Sequence, residues 1–292
     1  MLYHYLSPFL DYFKLAEFSN RSVQAMTSRI KEFQLYLKAQ KIKSIKKVHH
    51  KNLVEFAGDF QTPSIHITKS RVWMLHHFYR YLNLHEHVKE NIALQLSYPK
   101  IEKTIPDFLT SDELNRLIQY FAGQAHDLIG LRNLVIIVLL GFLGIRTSAL
   151  IGINIQDVDV TSGLLWVYEK GRRHHNLILP HCVCKIVEKY LRVIRLKKGP
   201  LLITQKKKRI SARTLQDVFK TAADCVGIDK RLHARLCRHT AATHLNKVAG
   251  IDITQHVLGH ALQTNTVKYA HLNPDQYAVY MKQHPYMRKE NP

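Results

Sequence analysis

Residues 97–121, SYPKIEKTIPDFLTSDELNRLIQYF, divide the chain into two parts. Positions 97–108 hold two prolines and four charges with no apolar period, the composition of an extended linker. A helix opens directly after it. Thr110 and Glu113 stand in capping-box spacing, and Leu114, Leu117, Ile118 and Phe121 recur at three- and four-residue steps. This places a first domain at 1–99, a linker at 100–109 and a second domain at 110–292.

The first domain reads as helices. Over 22–38, Val23, Met26, Ile30, Phe33 and Leu37 form one apolar stripe; helices at 48–60 and 65–82 follow, with Pro63 between them. The last of these carries Val72, Leu75, Phe78, Tyr79 and Leu82. Beyond the linker the pattern is mixed. The apolar run 131–143 reads as a buried helix, and another starts at Arg146 after Gly144. Segments 164–168 and 177–179 read as short strands joined by the polar turn EKGRRHHN, and helices follow at 182–194, 212–226, 238–248 and 253–258. The expected class is mainly α with a small antiparallel β-sheet.

Composition narrows the partners. The 292 residues carry a net charge of +21 and a pI near 9.8. The excess is spread along the chain: residues 1–100 hold 15 Lys/Arg against 7 Asp/Glu, and the remainder 28 against 15. A basic field over a whole folded chain points to a polyanion, of which nucleic acid is the commonest. Cys182, Cys184, Cys225 and Cys237 form no CxxC pair and read as reduced thiols. The longest apolar run is too short for a membrane span of about 20 residues, and the N-terminus shows no secretory pattern. No membrane partner is expected, and the expected location is the cytoplasm, in association with the nucleoid.

Cleaving a phosphodiester without a metal requires a nucleophile, cations for the charge growing on the non-bridging oxygens, and an acid for the leaving alkoxide. Tyr conserves the bond energy in a phosphotyrosyl ester, Arg grips two phosphate oxygens in a planar fork, and a partly dry Lys can give up a proton. The second domain holds these types in a particular order: Arg146 in LGIRTSAL, Lys170 in YEKGRRHHNLILP, Arg238 in RLCRHTAATHL, His260 closing HVLGH, and Tyr269 in TVKYAHL, nine residues after His260. This order and spacing resemble the tyrosine recombinase (phage integrase) family, particularly its Xer-type members, over nearly all of 100–285; the first domain matches at the level of helix pattern.

The resemblance implies a helical core-binding domain and a catalytic domain closing around duplex DNA as a C-shaped clamp. It also implies a homo-tetramer acting on two DNA sites, each with a specific target sequence. Arg146 and Arg238 would clamp the scissile phosphate, Lys170 would protonate the leaving 5′-oxygen, His260 would hydrogen-bond the phosphate, and Tyr269 would attack to give a 3′-phosphotyrosine. The family uses no metal and no high-energy cofactor, and the chain has no Walker A run. His256 and His260 are spaced for a helical metal pair, but no third ligand is evident, so no metal site is expected. The tail at 274–284 reads as a short amphipathic helix that, by resemblance, would dock onto a neighbouring protomer; docking on its own domain is the alternative.

One departure bears on the chemistry. The family usually places His three residues before the second Arg, and here that position is Arg235. Arginine cannot accept a proton, so Arg235 would act by charge alone, with His233 as the alternative base. Ala149 stands where many members carry Glu, a difference for packing. Phosphate contacts are expected from Lys206, Lys207, Lys208 and Arg209 ahead of a helix N-terminus, from Arg172 and Arg173 in the hairpin, and from Lys43, Lys46 and Lys47 in the first domain. Two rival readings remain: a catalytically degenerate DNA-binding or architectural protein, and a type IB topoisomerase-like relaxing enzyme.

Overall fold

A computed structural model describes residues 3–16, 18–102, 106–169 and 173–259. The chain forms two compact units, 1–104 and 105–292. The first contains helices α1 (Tyr3–Leu15), α2 (Asn20–Ala39), α3 (His50–Gly58) and α4 (Ile65–Leu84), with a 3-10 turn at Ile45–Lys47. The predicted stripes are its core: Met26, Ile30, Phe33 and Leu37 of α2 and Val72, Leu75, Phe78, Tyr79 and Leu82 of α4 are all buried. Helix α1 was not anticipated by the sequence reading. It inserts Phe9 and Phe13 into this core, Phe9 meeting the Phe78 ring edge-on at 5.2 Å.

A charged side chain is buried among these aromatics. Arg71, 3% exposed, donates from Nε to Glu32 at 3.1 Å and from Nη1 to the Phe56 and Phe60 carbonyls at 2.9 and 2.8 Å. Its guanidinium lies over the Phe56 ring at 4.8 Å, a cation–π contact that further offsets desolvation. Glu32 also pairs with Arg29 at 2.7 Å, so removing Arg71 chiefly takes the donor from the Phe56 and Phe60 carbonyls. Arg71→Ala is therefore expected to destabilise the protein by about 2–4 kcal/mol, read as a lowered urea midpoint.

The second unit is built around α6 (Leu128–Leu143), which follows α5 (Ser111–Gly123). Helix α6 is apolar on every side and buried along almost its whole length, the pattern of a central helix rather than an amphipathic one. After the short α7 (Thr147–Gly152) come β1 (Val158–Asp159), β2 (Leu164–Glu169) and β3 (Arg173–Ile178), an antiparallel sheet in the order β1-β2-β3. Then follow α8 (His181–Ile194), α9 (Ala212–Val226) and α10 (Ala234–Leu258). Helices α5, α8 and α10 all pack on α6. Among the described residues no helix is long and apolar enough to cross a membrane.

Three boundaries differ from the sequence reading. The expected turn EKGRRHHN is largely strand, because Glu169 pairs with Arg173 and Tyr168 with His174. Polar residues fill these positions, which hides the two-residue period; Leu177, paired with Leu165, is the inward residue that reveals it. The two helices expected at 238–248 and 253–258 are present and meet at Gly250, whose φ of 78° is non-helical, but the first begins four residues earlier, at Ala234; the pair is labelled α10 as one element. The linker ends before Leu109. That residue is fully buried, its N–H donates to Thr240 Oγ1 at 2.8 Å, and its carbonyl accepts from His244 Nε2 at 2.9 Å.

Candidate active site

Gly144 ends α6 in the left-handed conformation, with φ 61°, and turns the chain so that Arg146 caps α7. A side chain here would collide: a Cβ on Gly144 would lie 2.6 Å from Leu258 Cδ2 and 3.2 Å from Ala241 Cβ. The glycine therefore permits the α6 terminus to sit against α10 at two levels. Its carbonyl is also a ligand, accepting from Arg238 Nη1 at 2.6 Å, while Arg238 Nη2 donates to the Leu258 carbonyl at 3.0 Å. Arg146 Nη1 reaches the same end of α10 through the carbonyls of Leu258 and Gly259, at 3.5 and 3.4 Å.

Two arginines far apart in sequence thus converge on the last turn of α10, immediately before His260. Arg238 is 9% exposed and Arg146 half-buried, so each is held within the fold rather than waving in solvent. Two carbonyls, one on each Nη, fix the plane of the Arg238 guanidinium, a precondition for gripping a phosphate in a set orientation, while the Leu258 and Gly259 carbonyls tether Arg146 more loosely, both through Nη1. Gly144→Ala is expected to cost about 1–3 kcal/mol from backbone strain and overpacking. By displacing the Arg238 anchor it should also slow DNA cleavage by about 10²-fold, so unfolding and cleavage should be measured on the same preparation.

The two candidates for the departure near Arg238 are both placed. Arg235 is exposed in the first turn of α10 and donates from Nε to His239 Nε2 at 3.2 Å. His233 is the N-cap: its Nδ1 accepts the Leu236 N–H at 2.8 Å. With Nδ1 committed as acceptor, the neutral ring carries its proton on Nε2 and has no lone pair left to act as a base. Burial, and then Arg231 and Arg235 nearby, hold its pKa below the ordinary histidine range, so the neutral form is favoured. Cys237, between the two arginines, is no nucleophile: burial pushes its thiol up to about 12.

Lys206, Lys207 and Lys208 are exposed on a tight turn closed by Thr204 N–H to Lys208 O at 2.8 Å, just ahead of α9. Arg209, the last of this run, is exposed as well. Its guanidinium turns back onto the Ile151 and Ile153 carbonyls at 2.6 and 3.1 Å and Asn154 Oδ1 at 2.6 Å, fastening the C-terminal end of α7. In the first unit Lys43, Lys46 and Lys47 are exposed around the 3-10 turn. Arg173 opens β3. Lys170, Arg172, His260, Tyr269 and the tail at 274–284 lie outside the described residues. Missing from the sequence reading was His239; its spacing of four from Arg235 on one helix was the available signal.

The sequence profile of the phage integrase family matches residues 107–276, more than half of the chain and all of the motif positions from Arg146 to Tyr269. Tyrosine recombinase XerC of Thermodesulfovibrio yellowstonii is 28% identical over 300 residues, covering 98% of this chain and 98% of its own. Among solved structures, a lambda integrase dimer bound to a COC′ core site shares the fold with a TM-score of 0.77 at 16% identity, over 92% of this chain and 95% of that one. A lambda integrase tetramer bound to a Holliday junction gives 0.72 at 16% identity, over 90% and 78%. The mostly helical fold, its three-stranded sheet and the ordered motifs agree with those matches: the chain belongs to the phage integrase family as a Xer-type tyrosine recombinase, a DNA breaking-and-rejoining enzyme.

Proposed function

We propose that this recombinase cuts each strand at a specific duplex site by attack of Tyr269 on phosphorus. The phenolic oxygen bonds to phosphorus, the bond to the 5′-oxygen breaks, and Lys170 supplies the proton that the leaving oxygen needs. Arg146, Arg238 and His260 hold the phosphate and neutralise its growing charge. Neither Arg235 nor His233 is suited to take the tyrosine proton, so we assign its removal to water, with the Arg235 cation favouring the phenolate. No metal or high-energy cofactor enters this scheme. Rejoining is the same step in reverse, with a 5′-hydroxyl attacking the phosphotyrosine.

The observation that supports this reading most directly is the convergence of Arg146 and Arg238 on the carbonyls that lead into His260. We further assign phosphate contacts to Lys206, Lys207 and Lys208, to Arg172 and Arg173, and to Lys43, Lys46 and Lys47 of the first unit. Arg209 is assigned the same role, since it is exposed and its bonds to the end of α7 use three of the five N–H groups of the guanidinium. The working assembly is a homo-tetramer on two DNA sites with the tail docked in trans, and its place is the cytoplasm, on the nucleoid. The presence of Arg235 at the family's histidine position favours one second reading, a recombinase fold that binds DNA without cutting it. Covalent trapping separates the two. A nicked duplex library of randomised sequence should yield a protein–DNA adduct that survives boiling in SDS and is destroyed by proteinase, and its recovered DNA should reveal the target site.

A further inference from the structure

The hydrogen bond from Arg235 to His239 joins a residue on the surface to one beneath it. Arg235 is exposed and His239 is 7% exposed, one helical turn further along α10. The direction of the bond is fixed by chemistry: a guanidinium only donates, so His239 Nε2 is the acceptor and is unprotonated. On the helix surface Arg235 lies between His239, four residues on, and Arg238, three residues on. Arg238 is itself pinned by the Gly144 and Leu258 carbonyls. The Arg235 side chain is therefore flanked by one arginine already set in place and by a buried imidazole that grips it at Nε.

The start of α10 is an unfavourable place for such a cation. Arg231, Arg235 and Arg238 surround a helix N-terminus with no acidic residue in its first turn, and positive charge opposes the helix dipole there. Local conflicts of this kind persist where a function compensates for them.

Resting on the recombinase site described above, we propose that His239 is a positioning residue. By accepting the Nε–H it holds the Arg235 guanidinium in one plane, so that the Nη1–Nη2 edge is presented to the DNA phosphate beside Arg238. In this chain a fixed cation braced by a buried histidine thus stands at the position where the family usually has an imidazole.

The test uses the full chain and a short labelled duplex of arbitrary sequence, with affinity measured across a salt series. Each phosphate contact contributes about 0.9 to the slope of log K against log salt, so Arg235→Ala should lower the slope by about that amount. Two replacements of His239 separate bracing from packing. The Gln amide oxygen falls near the position of Nε2, whereas that of Asn falls near Nδ1 and cannot reach the Arg235 Nε–H. His239→Asn should lose about one contact's worth of slope, His239→Gln should recover most of it, and Arg235→Ala combined with His239→Asn should lose no more than either alone. Equal slopes for Asn and Gln, or additive losses in the double variant, would overturn the proposal. A wild-type protein whose binding does not fall with salt is a different failure, because it removes the recombinase site reading itself.

Discussion

Tyr269→Phe is expected to abolish the covalent adduct while leaving the fold and DNA affinity intact. The substitution removes only the hydroxyl that would bond to phosphorus, so no packing volume is lost and the cations that hold the backbone stay in place. Trapping on a nicked site should show the tyrosine on the 3′ end in the wild type and nothing above background in the variant. Duplex affinity and the urea midpoint should match the wild type. The Phe variants of Tyr277 and Tyr280 provide the control, since both should still form adduct. An adduct that persists in Tyr269→Phe assigns the nucleophile elsewhere.

The second large effect concerns the leaving group. Lys170→Ala should slow cleavage of an ordinary phosphodiester by about 10²–10⁴-fold, the usual contribution of a positioned general acid. A substrate with sulfur in the 5′-bridging position needs no such acid, because a thiol ionises near 8.5 and leaves readily as the thiolate. On that substrate the variant should recover to within about tenfold of wild type, the residue of a lost charge rather than a lost proton. Equal losses on the two substrates exclude the acid role and leave Lys170 as a phosphate contact only. The comparison is internal to one enzyme, so a folding defect cannot imitate rescue.

A distinction between Arg235 and the usual histidine follows from these two tests. If proton removal from Tyr269 falls to water, its rate should depend on the phenol's acidity. The fixed charge at Arg235 then acts on the same step as Tyr269 and not on the leaving group. Arg235→Ala should consequently slow cleavage on the sulfur-bridged and ordinary substrates alike, the opposite of the Lys170 pattern.

Much of the architecture was legible because it rests on interactions between near neighbours in the chain. The capping box is present as read, with Thr110 N–H to Glu113 Oε2 at 2.7 Å and Glu113 N–H to Thr110 Oγ1 at 3.2 Å. The stripes of α2 and α4 needed only a three- and four-residue period, and the central position of α6 followed from its uniform apolarity. Family membership was equally legible, since the order of the motifs is itself a property of the sequence. What tertiary structure alone decided depends on groups brought together from afar. The polar residues of β3 become strand only because β2 supplies their partners, and Leu109 leaves the linker only because Thr240 and His244 receive it. Arg71 is buried because Glu32 and two carbonyls meet it, and Arg209 turns inward because α7 ends beside it. Burying a charge is costly unless its partners are already in place, and no local pattern records where those partners will be. For the same reason the sequence could name Arg146 and Arg238 but could not say that both are held by one turn of backbone at Leu258 and Gly259.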